Sequence, residues 1–367
     1  MPPNIDKIIP GNYQRAFFFK NLGYLFVDSA FAWYKRRDFI AVFQDGMLGQ
    51  YIGNEAADKC LENGKKIFSS EANFKIFEAG FRKTIKEVEE YISKAKKLDK
   101  VTINDFFDLR ALSNKGFYYF EKTEFYFTDS CYVGTTSDLL KKNLLTLGDS
   151  LKFKARPLMV ELLTTIPYKF TEIVAKDHNL NAEELKSYSF DEIRSLMEIG
   201  EPLDQKIISE RKKSFVVYCE NSAIIPIIGG NKEIILDRFK EPDYSKLTEF
   251  RGVVANRGKI KAKAKVILPE LDQDYNLFVK KLHAMEFNQG EILVTETTSP
   301  DFVPLMKKAG GVIANQGGMN SHAAIISREL GIPCLVGTYH ATDILATGDL
   351  IELDANVGVV KIIKKNI

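Results

Sequence analysis

The feature that most narrows the fold is the run from Gly311 to Gly337. A short apolar segment, a pair of glycines, a single histidine and a helix-like stretch follow one another there. Gly311-Val312-Ile313-Ala314 reads as a short buried strand. Gly317-Gly318 breaks it, because glycine permits a sharp turn or a close backbone approach to a ligand. Asn320 and Ser321 are both good N-cap residues. Ala323 to Leu330 is helix-compatible, and Gly331 followed by Pro333 is a stop signal. The spacing therefore predicts His322 in the first turn of a short helix, where N–H groups lack intrahelical partners and the macrodipole is positive. A cation is poorly placed at that end and an anion is well placed. A phosphoryl group on the imidazole would meet ready donors. The plainer alternative is a histidine that caps or packs, behind a turn with no further role.

Composition limits what can surround this run. At 367 residues, 45% of them apolar, the chain has material for two or three folded domains. Fifty-one Lys and Arg nearly balance 49 Asp and Glu, and a formal charge of +2 argues against a nucleic-acid binder working by bulk charge. Cys60, Cys131, Cys219 and Cys334 lie far apart without a CxxC pair, and Met1-Pro2-Pro3-Asn4 does not open like a signal peptide. Reduced thiols in a cytoplasmic protein are the expectation. No apolar run approaches the ~20 residues needed to span a bilayer.

Residues 12–53 are rich in aromatics (Phe17, Phe18, Phe19, Tyr24, Phe26, Phe31, Trp33, Tyr34, Phe39, Phe43) and predict strands or short helices, with a hairpin turn at Asp45-Gly46. From Asn54 to about Leu180 the pattern turns helical. Phe74, Phe77, Phe81, Ile85, Val88 and Ile92 form one core-facing stripe. Thr102 to Asp105 reads as a cap, Thr135 or Ser137 starts a further helix, and Phe153 to Val174 reads as another, broken at Pro167. Arg211 is expected on a solvated helix face. Val216 to Asp237 switches to strands, with Gly229-Gly230-Asn231 as a hairpin turn between the last two. Lys240 to Lys246 is the best linker. Lys259, Lys261, Lys263 and Lys265 alternate as on a strand with one wet face.

Several blocks beyond this carry a family resemblance. They are Thr297-Thr298-Ser299-Pro300-Asp301, Leu305 to Ala309, Gly317-Gly318 through Ile325, Arg328 to Pro333, Gly348-Asp349 and Gly358-Val359-Val360. In this order and spacing, residues 292–363 resemble the phosphohistidine (swivelling, or mobile) domain of phosphoenolpyruvate-utilising enzymes. That group includes phosphoenolpyruvate synthase, pyruvate phosphate dikinase and rifampicin phosphotransferase. The family's phosphorylated histidine falls on His322. The family often has Thr two residues before it, where this chain has Asn320. Residues 180–215 resemble, more loosely, the helical linker that precedes this domain in rifampicin-phosphotransferase-like chains.

The resemblance implies an α+β chain of two domains: a mainly helical acceptor or linker-type domain over 1–240, a linker at 241–249, and a β/β/α phosphohistidine domain over 250–367. It implies a phosphotransferase component with His322 as nucleophile and carrier. Gly317, Gly318, Asn320, Ser321, Thr297, Thr298 and Ser299 are expected around the phosphoryl oxygens. The first 240 residues contain no Gly-rich phosphate loop, so ATP and Mg²⁺ are expected on a separate ATP-grasp partner. No metal site is expected on this chain. No phosphoenolpyruvate/pyruvate barrel is expected with it, which disfavours pyruvate among the small-molecule acceptors. A non-catalytic regulatory protein and a phosphorelay carrier to another protein are the competing readings.

Overall fold

The computed structural model describes residues 5–20, 22–29, 38–124, 137–220, 223–240, 242–244, 246–268, 275–319 and 321–366. Phe31, Trp33, Tyr34, Cys131, Thr135 and Asn320 lie outside them. The described residues form two compact units, one spanning 5–240 and the other 242–268 with 276–366. Both mix helix and sheet.

The first unit begins with β1 (Tyr13–Lys20), α1 (Tyr24–Ser29), β2 (Phe39–Gln44) and β3 (Met47–Gly53). Asp45 and Gly46 both have positive φ, 52° and 78°, the geometry of a two-residue hairpin turn whose twist matches the flanking strands. A helical series follows: α2 (Asn54–Phe68), α3 (Glu71–Ala95), α4 (Ile103–Glu124), α5 (Asp138–Thr146), α6 (Phe153–Leu163), α7 (Thr165–Asp177), α8 (Ala182–Leu185), α9 (Phe190–Ile199) and α10 (Gln205–Lys213). Several helix starts carry a side-chain cap. Ser70 accepts from Asn73 N–H, Ser137 from Leu140 N–H, and Ser189 forms a reciprocal capping box with Glu192. The α3 stripe from Phe74 to Ile92 is buried.

β4 (Ser214–Glu220), β5 (Ala223–Ile227) and α11 (Gly230–Arg238) close the unit. The aromatic N-terminal stretch and the β-like stretch after Ser214 join in one antiparallel sheet of order β1-β3-β2-β4-β5, with Ile40 opposite Tyr218 and Tyr51. The first unit therefore holds a five-stranded sheet beside the helices that a mainly helical domain would have.

Three expectations fail here. The chain breaks at Thr164 (φ −126°, ψ −71°), not at Pro167. Pro167 sits in the first turn of α7, where its missing N–H costs no helical bond. Gly229-Gly230-Asn231 does not turn a hairpin. Gly229, at φ 62°, starts α11, which buries Ile235 and Leu236 while Arg238 donates to the Ile5 and Ile8 carbonyls. Arg211 is not on a solvated face. Its guanidinium makes a two-pronged pair with Glu192 at 2.6 and 2.9 Å, donates to the Ser187 carbonyl at 2.8 Å, and lies 3.9 Å over the Tyr24 ring.

The second unit contains β6 (Glu249–Arg251), β7 (Val253–Asn256), β8 (Lys259–Ile267), α12 (Tyr275–Ala284), β9 (Ile292–Thr295), α13 (Val303–Met306), β10 (Gly311–Ala314), α14 (His322–Leu330), β11 (Cys334–Val336), α15 (Ala341–Ile344), β12 (Leu350–Asp354) and β13 (Val359–Lys364). Its eight strands run β6-β13-β12-β8-β9-β10-β11-β7. β8, β9, β10 and β11 are mutually parallel neighbours. β8 changes partner along its length: Lys259 to Lys263 pair antiparallel with β12, and Ala264 to Ile267 pair parallel with β9.

β9, β10 and β11 are buried along their whole length, as parallel strands covered on both faces must be. Ile292, Val294, Ile313 and Leu335 join a core with Ile351, Leu353, Val360 and α15. Residues of the opposite pleat, such as Val312 and Cys334, turn to the other face, where α14 packs with buried Ala323 and Ala324. Cys60, Cys219 and Cys334 are buried, and burial pushes the Cys334 thiol up to about 12.

Candidate functional site

Three consecutive strands deliver their carboxyl ends to the same edge of the second unit. β9 leads into 296–299, β10 into 315–321 and β11 into 337–340. In open α/β sheets this is the edge where ligands bind, because loops converge there and helices begin there. Backbone bonds carry the pairing past the strand ends. Asn315 N–H donates to Thr295 O at 3.0 Å, Gln316 N–H to Glu296 O at 2.9 Å, and Tyr339 N–H to Asn315 O at 3.0 Å.

His322 is the first residue of α14 and is 8% exposed. Ser321 is its N-cap, with Oγ accepting from Ala324 N–H at 3.3 Å, and Gly331 at φ 68° ends the helix. The ring is oriented by Thr298, whose Oγ1 lies 2.9 Å from His322 Nδ1, and Thr298 is itself buried. When Nδ1 donates to that hydroxyl, the ring's lone pair is on Nε2. Gly317 has φ 103°, and a Cβ added to it would come within 2.7 Å of Ser321 Cβ, so only glycine lets the loop close on the cap. Ser321 N–H donates to Gly318 O at 3.1 Å and seals the turn.

The structure therefore brings Gly317, Gly318, Ser321, Thr298 and His322 together. Thr297 contributes its carbonyl to Thr295 Oγ1 at 3.2 Å, and Ser299 Oγ is engaged with Asp301 at 3.2 Å. Asn320 lies outside the described residues. Sequence reasoning missed a buried polar group beneath these loops, made by Glu296, Asn315, Thr338 and Thr342. The letters held one weak signal: polar residues directly follow the apolar strands β9 and β10.

These features define an α/β domain that collects a histidine, hydroxyls and glycines at the carboxyl ends of parallel strands. Comparison with known proteins finds a family match for part of the chain. Residues 287–358 match the PEP-utilising enzyme mobile domain, and the chain carries such a domain. It is similar to the probable phosphoenolpyruvate synthase of Staphylothermus marinus, 46% identical over 110 residues that cover 30% of this chain and 12% of that protein. It is also similar to the probable phosphoenolpyruvate synthase of Archaeoglobus fulgidus, at 35% over 180 residues, 47% of this chain and 22% of that one. The phosphoenolpyruvate synthase of Pyrococcus furiosus is 54% identical over 72 residues, 20% of this chain and 9% of its own. The chain thus spans less than a quarter of the length of each of these relatives. No described helix is long and apolar enough to cross a membrane.

Proposed function

We propose that this chain is a cytoplasmic phosphotransferase component in which His322 carries a phosphoryl group from a nucleotide-binding partner of the ATP-grasp type to a small-molecule acceptor. The observation that supports this most is the capped helix start that presents His322, oriented by Thr298, inside the segment matched by the mobile-domain family.

In this reading Thr298 accepts from Nδ1–H and holds the ring so that the Nε2 lone pair attacks phosphorus. The bond from phosphorus to its leaving oxygen breaks as the Nε2–P bond forms. The positive end of α14 favours the phosphoryl oxygens. Ser321 keeps a hydroxyl proton to donate while its oxygen caps the helix. Transfer to the acceptor reverses the geometry: the acceptor oxygen bonds phosphorus and Nε2 leaves. ATP with Mg²⁺ belongs on the partner. Residues 1–240 are the proposed acceptor-binding part.

The test mixes the full chain with an ATP-grasp protein and labelled ATP, and follows acid-labile, alkali-stable label on the chain. Label is expected on the wild type and not on His322→Ala. Label retained by His322→Ala sinks the assignment. Thermal-shift screening of the chain against small acceptors then separates an acceptor enzyme from a carrier serving another protein.

A further inference from the structure

The polar group under the site is built around one amide. Asn315 is fully buried and Glu296 is 3% exposed. Asn315 Nδ2 donates to Glu296 Oε2 at 2.6 Å and to Thr342 Oγ1 at 2.7 Å. Its Oδ1 accepts from Thr338 Oγ1 at 3.2 Å and from Thr342 N–H at 3.3 Å. Gln316 Nε2 donates to the other carboxylate oxygen, Oε1 of Glu296, at 3.2 Å. One side chain therefore ties the loop after β10 to those after β9 and β11. The backbone bonds between strand ends already hold the sheet together there. A buried carboxylate is costly to keep unless it does something that apolar packing cannot.

Its position indicates what that is. Glu296 stands two residues before Thr298, and Asn315-Gln316 opens the loop that leads to His322. We infer that the Glu296–Asn315 pair is a positioning device. It fixes the relative placement of the Thr298 and His322 loops, and with it the ring nitrogen that carries the lone pair. The inference rests on the carrier role proposed for His322, and neither side chain is assigned contact with the phosphoryl group.

The pair can be tested by exchanging donor and acceptor. Glu296→Gln leaves one of the two amides, Asn315 or Gln316, without its acceptor in either orientation of the new side chain. Asn315→Asp sets two carboxylates against each other in a buried place. In the double variant the new amide donates to the new carboxylate, Oε1 still accepts from Gln316, and the total charge is that of Glu296→Gln plus one negative group, the same as wild type.

Two readouts are made on the full chain. The ¹⁵N shifts of His322, assigned by their loss in His322→Ala, report which ring nitrogen holds the proton. Phosphoramidate serves as a small chemical donor: Nε2 bonds phosphorus, the P–N bond breaks, and ammonia leaves. Each single variant is expected to move the His322 shifts and to slow labelling roughly tenfold or more. The double variant is expected to restore both. Unchanged shifts and rates in the single variants overturn the inference. So does a double variant that regains thermal stability but not the His322 shifts. If Asn315→Asp does not fold, Glu296→Gln against the double variant makes the same comparison. Absence of label on wild-type His322 counts against the carrier role, while the ¹⁵N shifts still decide the positioning role.

Discussion

Gly317→Ala should damage the second unit more than any other glycine-to-alanine change at this helix. At φ 103° an alanine is strained, at a cost of about 1–3 kcal/mol. Its Cβ would also meet Ser321 Cβ at 2.7 Å and Oγ at 2.8 Å. Ser321 must then move, which breaks the cap on Ala324 N–H and costs about 1 kcal/mol more. The sum is about 2–4 kcal/mol. Gly331 supplies the control. It too has positive φ, 68°, but a Cβ there meets nothing within 4 Å, so Gly331→Ala should cost only the conformational part, about 1–2 kcal/mol. Native-state hydrogen exchange of β10 and β11 amides measures the opening free energy in the full chain without requiring both units to unfold together. The expected order of loss is Gly317→Ala, then Gly331→Ala, with Ser321→Ala near 1 kcal/mol. A Gly317→Ala loss no greater than that of Gly331→Ala would refute the clash and the cap argument together.

Two further outcomes concern charge. Burial pushes the Asp349 carboxyl up, but the Ala346 and Asn366 N–H groups and Lys365 outweigh it and leave its pKa below the ordinary value of 3.8. The stabilisation is therefore complete above that value and is lost as pH falls through the depressed one. Protection of the 361–366 amides should fall in that acid range and should lose this pH dependence in Asp349→Asn. In the first unit, Arg211→Lys replaces a planar two-pronged contact and a ring contact with a point charge. It should lower stability to denaturant by about 1–3 kcal/mol, and a loss within error of zero would remove Arg211 from the account of that unit.

Much of the second unit could be read from its letters because its local signals agree. Gly311 to Ala314, Ser321, the alanines and Gly331 each favour the element they occupy, and the structure places strand, cap, helix and stop there. Position 298 was legible only as a hydroxyl near the site, since nothing in the sequence says that its partner would be Nδ1 of His322. Asn315 and Glu296 were illegible for a plainer reason. A polar residue after a strand looks the same whether it is solvated or the centre of a buried network. In the first unit, Ile234-Ile235-Leu236 suits a strand or a helix equally, and the preceding glycines tipped the reading toward a hairpin. Only tertiary contacts decide it: Ile235 and Leu236 enter the core with Ile40, Val216 and Tyr218. Arg211 was misplaced because charge suggests solvent, whereas a guanidinium can be enclosed when a carboxylate and a ring flank it.

The shared strand β8 gives the second unit a mechanical property. Its first five residues belong to an antiparallel ladder and its last four to a parallel one, and at Ala264, where the change occurs, the N–H donates to Asp349 O and the carbonyl accepts from Gly348 N–H, each at 2.8 Å. A displacement applied at the His322 edge is thus transmitted along a covalent chain instead of through a seam between two sheets. The unit should resist bending at that line, and its slowest-exchanging amides in β9 and β12 should open together as one cooperative body.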